Sequence, residues 1–87
     1  MNQGSAPVDV AFAAELAQLR LHAGLSRRDL ADEVGIQPCD VSRSEAGQRS
    51  VHVVELFYWC LACGSSLDVF FERMDRRLAL DMSKTRH

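Results

Sequence analysis

Three cysteines are the residues of this sequence that could bind a metal ion or form a disulfide. Cys60 and Cys63 are spaced as C-x-x-C, and Cys39 supplies a third thiol. A zinc site needs a second pair of ligands at a comparable spacing, and the sequence has none. Both Cys60 and Cys63 fall on the core face of an amphipathic helix, where cysteine behaves as a small hydrophobic residue. We therefore predict that they pack in the core and that the protein uses no cofactor and no metal.

Motifs that would support catalysis are also missing from the sequence. It contains no glycine-rich phosphate loop, no H-E-x-x-H pair and no nucleophile elbow. Of its histidines, His22 follows the core stripe of the first predicted helix and His87 is the last residue. We therefore predict that the protein is not an enzyme.

Length and composition point to one small folded domain. The chain has 87 residues, of which 47% are hydrophobic and 25% are charged, and this is the composition of an ordinary globular protein. The net charge of −2 removes the simple argument that the protein binds a polyanion through its overall charge. No apolar run has the length of a membrane-spanning helix, and residues 1–9 lack the features of an export signal. We therefore predict a cytoplasmic protein that does not enter a membrane.

Apolar residues at spacings of three and four predict an all-α fold, a compact five-helix domain with an extended C-terminal helix. Ser26 and Asp29 should form a capping box at the start of the second helix, and Gly35 should end that helix in the left-handed conformation. Pro38 suits the first position of the third helix. The helices are expected at about residues 11–23, 26–34, 38–46, 51–63 and 67–81, with a flexible segment over residues 1–10 and a frayed tail over residues 83–87.

The last two helices have predicted core faces. On the fourth helix this face carries Val53, Leu56, Cys60 and Cys63. On the fifth helix it carries Leu67, Phe70, Phe71, Met74 and Leu78. Both sets follow the spacing of one side of an α-helix, so we expect both helices to pack against the rest of the domain through them.

Two short helices joined through Gly35 have the arrangement of a helix-turn-helix motif. The run LRLHAGLSRRDLADEVGIQPCDVSRSEAGQRS, residues 19–50, resembles the DNA-binding domain of the lambda repressor and Cro family of bacterial and phage regulators. The run GSSLDVFF, residues 64–71, is similar to the start of that family's fifth helix. The resemblance covers residues 11–72 without a gap and implies a helix-turn-helix domain over residues 11–82.

The resemblance also implies which residues contact DNA. Arg27 matches a position that holds a phosphate in the family, and a helix N-terminus with Arg27 and Arg28 would attract such an anion. Arg43 is the best candidate for reading a base, because its planar guanidinium can donate to O6 and N7 of guanine together. The other residues expected to contact DNA are Gln37, Cys39, Asp40 and Ser42 at the third helix, and Gln48, Arg49 and His52, which should contact the sugar-phosphate backbone of the DNA.

Several positions depart from the family pattern or belong to its scaffold. Pro38 replaces a common glutamine and cannot reach a base edge. Asp40 could accept a hydrogen bond from N4 of cytosine, but we favour its role as an acid in the first turn of a helix. Ser44 replaces a larger apolar residue, which predicts looser packing of the third helix. Arg20 and Glu45 match positions that form an ion pair in relatives, so we assign them to the scaffold.

The fourth helix is apolar around more of its circumference than a surface helix needs. Val54, Phe57 and Leu61 extend its core face, and Tyr58 and Trp59 widen it further. Because a large exposed apolar patch marks a contact, we predict a homodimer in which the fifth helix lies against this surface or crosses to the partner. The alternative is that the fifth helix folds back within one chain. The predicted interface residues are Val54, Phe57, Tyr58, Leu61, Leu78, Leu80 and Met82.

Two functions are consistent with this sequence. The first is a transcriptional regulator, a repressor, that binds a palindromic operator in double-stranded DNA as a homodimer, with two recognition helices about 34 Å apart. The second is a helix-turn-helix scaffold that binds another protein, as an antitoxin or adaptor does, with weak or no DNA binding. The acidic charge, Pro38 and Asp40 favour the second function. The first is favoured by four arginines that we expect on one face, namely Arg27, Arg28, Arg43 and Arg49.

Overall fold

The computed structural model describes residues 7–85 of the chain, and it describes the side chains of residues 7–80. Five helices follow one another and are named α1 (Pro7–His22), α2 (Arg27–Val34), α3 (Pro38–Glu45), α4 (Val53–Ala62) and α5 (Leu67–Thr85). Residues 7–85 contain no strand. The predicted all-α, five-helix architecture is therefore confirmed.

The first and last helices are longer than predicted. α1 begins at Pro7, so residues 7–10 are helical rather than flexible. Proline suits the first helical position because the N–H that it lacks would have no partner there. α5 continues to Thr85, so residues 83–85 are helical, since no glycine or proline ends the helix earlier. The predictions for residues 1–6 and 86–87 lie outside the described residues.

The turn signals around α2 are confirmed. The backbone N–H of Asp29 donates to Oγ of Ser26 at 3.0 Å, and the N–H of Ser26 donates to Oδ2 of Asp29 at 3.2 Å. Gly35 ends the helix with φ of 88°, a conformation that glycine adopts without steric cost. Its N–H donates to the carbonyl of Ala31 at 2.8 Å. These local contacts fix where α2 begins and ends, and hence where α3 begins.

Trp59 lies in the centre of the core, so the prediction that it widens the exposed face of the fourth helix is wrong. Its side chain is fully buried, and its Nε1 donates to the carbonyl of Leu16 at 3.3 Å. Leu56, Trp59, Cys60 and Cys63 follow the i, i+3, i+4, i+7 spacing of one helical face. The indole therefore shares the core face of α4. The buried apolar cluster consists of Ala11, Leu16, Leu19, Leu30, Ala31, Val41, Leu56, Trp59, Cys60, Phe70 and Met74.

Two residues predicted in the core are exposed. Val53 is exposed because α4 begins at this residue, nearly a full turn before its first buried position at Leu56. Phe71 is exposed because Phe70 occupies the core position on α5, and the two rings pack edge to face at 5.5 Å between centroids. The apolar surface of the domain is therefore larger than the core faces alone predict.

A buried carboxylate joins α1 to α5. Glu15 is only 1% exposed, and it accepts a hydrogen bond from Nε of Arg77 at 2.8 Å and another from Nε of Arg73. We call Glu15, Arg73 and Arg77 the clamp. The rings of Phe12 and Phe70 also pack edge to face between α1 and α5, with their centroids 5.3 Å apart. Up to residue 80, α5 therefore packs on α1 of its own chain, which is the alternative in which the fifth helix folds back.

The pKa of Glu15 shows how the clamp works. Burial alone would raise this pKa, but the hydrogen bonds from Arg77 and Arg73 outweigh burial and hold it below its ordinary value. A carboxyl group with a lower pKa in the folded state than in the unfolded state stabilises the fold above its ordinary pKa. That contribution is lost as the pH falls through the folded-state pKa.

Removing both arginines should leave a buried carboxylate without a partner. We expect Arg73→Ala together with Arg77→Ala to lower the free energy of unfolding by about 3 kcal/mol at pH 7. Without the arginines, burial raises the pKa of Glu15, so this loss should shrink as the pH is lowered toward 5. Urea unfolding followed by circular dichroism at both pH values measures the change.

The matched control is Arg76→Ala, which removes an arginine from the same helix. Arg76 forms an exposed pair with Glu72 at 3.0 Å, and such a pair contributes only about 0.5 kcal/mol or less. A double variant that is as stable as this control would show that the clamp does not hold α5 in place.

Candidate nucleic-acid interface

α3 is anchored on one side and exposed on the other. Val41 and Ser44 are buried, whereas Arg43 is 55% exposed at its side chain. Pro38 occupies the first turn, and Oδ2 of Asp40 accepts the backbone N–H of Gln37 at 3.1 Å, which caps the start of the helix. The exposed residues of this segment are Gln37, Cys39, Ser42 and Arg43. An eight-residue helix with this division can contact a partner without losing its own packing.

Ser44 occupies a polar site rather than an underfilled apolar one. Its Oγ donates to the carbonyl of Asp40 at 2.8 Å and accepts from Nη1 of Arg49 at 3.1 Å. Within residues 7–80, no buried side-chain nitrogen or oxygen lacks a hydrogen-bond partner. The expected loosening of the third helix is therefore offset by two hydrogen bonds.

The predicted ion pair between Arg20 and Glu45 is confirmed. Nε and Nη2 of Arg20 donate to the two carboxylate oxygens of Glu45 at 2.8 and 3.1 Å, and both side chains are less than a tenth exposed. The hydrogen bond with Glu45 raises the pKa of Arg20 above its ordinary value. Nη1 of Arg20 also donates to the carbonyl of Leu25 at 3.0 Å. This pair ties α1 and the turn before α2 to the end of α3.

Arg27 lies beside this scaffold pair. Its Nε is 3.4 Å from Oε1 of Glu45, and about half of its side chain is exposed. The predicted phosphate contact at the start of α2 therefore adjoins the last residue of α3. The pairing also means that a phosphate would share Arg27 with a carboxylate of the same chain.

A second group of charges joins α3 to α4. Nη1 and Nη2 of Arg49 donate to the two carboxylate oxygens of Glu55 at 2.7 and 3.0 Å, and this bond raises the pKa of Arg49. Oδ1 of Asp40 lies 3.8 Å from Nε of Arg49 and 3.7 Å from Nη1 of Arg43. The structure thus brings Asp40, Arg43 and Arg49 together, but it engages Arg49 within the chain, where its side chain is 22% exposed.

The remaining predicted contacts lie at the surface. Arg28, Gln48 and His52 are exposed, and Arg28 forms no ion pair with the side chains of residues 7–80. His52 precedes α4 as its N-cap residue. The assignment of DNA contacts to these residues stays a prediction. Glu55 is the participant that the sequence analysis missed, and no local spacing rule predicts its contact with Arg49, because the turn before α4 separates the two residues.

A second surface is formed by exposed apolar residues of α4. Val54, Phe57, Tyr58 and Leu61 are all exposed, as predicted, and Val53 joins them. We call these five residues the α4 apolar surface.

Among residues 7–85, no single helix is long and apolar enough to cross a membrane. Only α4 together with Leu67–Leu80 meets that test, and the two helices are bent by 100°.

The α5 residues predicted for the same interface behave differently. Leu80 is exposed, whereas Leu78 is partly buried against the core of its own chain. The side chain of Met82 lies outside those that the structure describes. Leu78 is therefore less accessible to a partner than Leu80, and its assignment to the interface stays a prediction.

The three cysteines differ in how far they are exposed. Cys60 is buried, Cys63 is partly buried against the core, and Cys39 is exposed. Burial raises the pKa of both Cys60 and Cys63 to about 11. The described residues contain no group of three or more side chains that could hold a metal ion.

We expect one fast thiol in the folded protein. At pH 8, Cys39 should react with a disulfide reagent first, because a pKa of about 11 leaves only about one in a thousand Cys60 and Cys63 side chains as the reactive thiolate. Unfolding in guanidinium should make all three thiols react alike. Two fast thiols, or one equivalent of zinc in protein purified without added metal, would contradict this placement.

Comparisons with known proteins agree with this architecture. Residues 11–85 match the helix-turn-helix domain family. Among solved structures, the clp gene regulator ClgR from Corynebacterium glutamicum is 26% identical, with a TM-score of 0.81 over 88% of this chain and 82% of that chain. The wild-type restriction-modification controller protein C.Esp1396I is 20% identical, with a TM-score of 0.79 over 86% of this chain and 99% of that chain. None of the curated proteins compared is similar in sequence.

The match covers most of the chain, and the α2–turn–α3 unit and the five-helix order agree with it. The chain belongs to the helix-turn-helix domain family and has the lambda repressor and Cro-like fold of DNA-binding transcriptional regulators.

Proposed function

We propose that this protein is a sequence-specific transcriptional repressor that binds a palindromic operator as a homodimer, with α3 in the major groove. The observation that carries this proposal is the exposed side of α3, which bears Arg43 while Val41 and Ser44 anchor the opposite side. A helix exposed in this way can enter the major groove. The role requires no catalytic step, and we infer a cytoplasmic location for it.

The start of α2 supports a phosphate contact beside the groove. A helix N-terminus carries partial positive charge, and Arg27 and Arg28 are the first two residues of α2. Both side chains are exposed. Because Glu45 links Arg27 to the end of α3, a phosphate held here would set the depth at which α3 enters the groove.

The carboxylates near these arginines favour a second candidate function. Arg27, Arg43 and Arg49 each have a carboxylate within 4 Å, supplied by Glu45, Asp40 and Glu55. A phosphate must compete with these partners, and the chain as a whole is acidic. The pairing is the observation that favours a helix-turn-helix scaffold used to bind another protein, with weak DNA binding.

A salt titration separates the two functions. The probe is the duplex that the protein enriches from a randomised pool, called the selected duplex below. For a DNA-binding regulator, the logarithm of the association constant should fall by about 0.9 per neutralised phosphate for each decade of salt. No enrichment, or an affinity that does not change with salt, would favour the protein-binding scaffold.

Two arginine variants test the assigned roles within the same titration. Arg28→Ala should weaken binding to all duplexes alike and reduce the slope by about one phosphate, because Arg28 is exposed at the start of α2, where a phosphate contact is proposed. Arg43→Ala should lower the preference for one base pair by about 5- to 150-fold, the range of a bidentate guanine contact. Identical effects of the two substitutions would contradict these roles.

The homodimer is supported by the α4 apolar surface. Its members are exposed in the single chain, and the rings of Phe57 and Tyr58 pack edge to face at 5.7 Å. Exposed apolar patches of this kind mark contacts with a partner. A dimer related by a two-fold axis would present two α3 helices to successive major grooves about 34 Å apart.

A charge placed on this surface should separate the subunits. Leu61→Glu should convert the dimer to a monomer in sedimentation velocity and weaken binding to the selected duplex, because a carboxylate would be buried in an apolar contact. Leu21→Glu is the matched control, since Leu21 is 59% exposed on α1 and Leu61 is 53% exposed. A monomeric wild type, or a dimer that survives Leu61→Glu, would contradict this interface.

A further inference from the structure

Asp40 lies between the predicted base-reading residue and the charges that join α3 to α4. We propose that Asp40 is a specificity-determining positioning residue, whose carboxylate restrains the guanidinium of Arg43 on the exposed side of α3 and so sets how strictly Arg43 discriminates between base pairs. Arg49 in turn holds Asp40. This inference rests on the proposed DNA binding and assigns a role that neither residue type nor family resemblance specifies.

Both carboxylate oxygens of Asp40 are engaged within the chain. Oδ2 accepts the backbone N–H of Gln37 at 3.1 Å, and Oδ1 lies 3.7 Å from Arg43 and 3.8 Å from Arg49. The side chain is about one quarter exposed. Oδ2 thus supports the favoured role of Asp40 as an acid in the first turn of the helix, and Oδ1 lies between two guanidinium groups. The carboxylate is therefore placed to act on its neighbours.

Arg49 is fixed more firmly than a surface arginine. Its two terminal nitrogens form a bidentate pair with Glu55, and Nη1 also donates to Oγ of Ser44. The same hydroxyl donates to the carbonyl of Asp40, so Arg49 approaches Asp40 both directly and through Ser44. Bidentate pairs of this kind fix geometry as well as charge. We therefore assign Arg49 to positioning rather than to the grip on a phosphate.

Arg43, by contrast, is free to move unless it is restrained. It is more than half exposed, and Oδ1 of Asp40, 3.7 Å from its Nη1, is the carboxylate oxygen placed to restrain it. Ordering such a side chain on binding costs conformational entropy, and a restraint that exists before binding reduces this cost. A guanidinium already directed by Asp40 meets the correct base pair at a lower entropic cost and has less freedom to adapt to a wrong one.

Asp40 also lowers the affinity for duplexes that lack the base pair read by Arg43. Its negative charge lies at the edge of the exposed side of α3, 3.7 Å from Arg43, and disfavours phosphate contacts made without the correct base contact. Specificity is a difference between two affinities, so weakening the binding of wrong sequences raises it. Charge alone would act equally on every sequence, whereas the restraint on Arg43 acts only on the base pair that Arg43 reads.

The experiment separates the loss of a negative charge, which affects all sequences, from the loss of the restraint on Arg43, which affects one base pair. Asp40→Asn removes the charge but keeps an oxygen that can accept the N–H of Gln37, so the helix start is preserved. The matched control is Asp75→Asn, which removes the same charge from an exposed residue of α5. Asp75 forms no ion pair with the side chains of residues 7–80. Circular dichroism and thermal melting check that both variants fold.

The measurement is the ratio of the dissociation constants for two probes at one salt concentration. One probe is the selected duplex, and the other carries a substitution at the base pair where Arg43→Ala loses its preference. We expect both Asn variants to bind a random duplex somewhat more tightly, and only Asp40→Asn to lose about tenfold in this ratio. Glu55→Gln, which loosens Arg49, should produce a smaller loss in the same direction.

A double substitution makes the test specific. If Asp40 acts through Arg43, then Asp40→Asn should change the ratio no further in a protein that already carries Arg43→Ala. An unchanged ratio in Asp40→Asn, beside a wild type that discriminates, would overturn this inference and leave the proposed function intact. A wild type that enriches no duplex would overturn both.

Discussion

The ion pair between Arg20 and Glu45 determines where the exposed side of α3 lies. α3 has only eight residues, and a helix that short is not stable by itself in water. Its position therefore comes from its anchors, which are two buried side chains and a carboxylate held by two nitrogens of Arg20. Because the pair is almost fully buried, neither partner can be lost without stranding a charge. The surface available to DNA depends on this internal contact.

Ion pairs between a glutamate and one or two arginines occur at three places in the domain. Glu15 with Arg73 and Arg77 holds α5 on α1, Glu45 with Arg20 holds α3, and Glu55 with Arg49 joins the end of α3 to the start of α4. A small domain has little apolar core, so directional charge pairs add contacts that hydrophobic packing alone would not specify. Although the chain as a whole is acidic, Glu45 and Glu55 already have arginine partners within it.

Local signals made part of this fold predictable. Ser26, Asp29 and Gly35 act within a few residues of the helix ends that they fix, and each behaves as its chemistry predicts. Glu15 could not be predicted in the same way, since its partners lie 58 and 62 residues further along the chain. The burial of Trp59, in contrast, was predictable, because Leu56, Trp59 and Cys60 follow the spacing of one helical face.

The candidate site was predictable only in outline. Its position on α3 followed from the family resemblance, as did the Arg20–Glu45 pair, whose members are 25 residues apart. The partners of Arg49 did not follow, because they depend on the turn between α3 and α4, for which the sequence carries no cap signal of the Ser26 kind. A residue type can suggest a phosphate contact, but the geometry of nearby carboxylates decides whether the side chain is available for it.

The burial of the indole has a practical consequence for spectroscopy. Trp59 is the chain's single tryptophan, and its Nε1 is bonded to the carbonyl of Leu16 in the interior. Its emission should therefore report the integrity of the helical core and stay nearly silent when a ligand occupies the outer side of α3. Unfolding and ligand occupancy can then be followed by separate optical signals in one sample, the first from this intrinsic fluorophore and the second from a dye on the ligand.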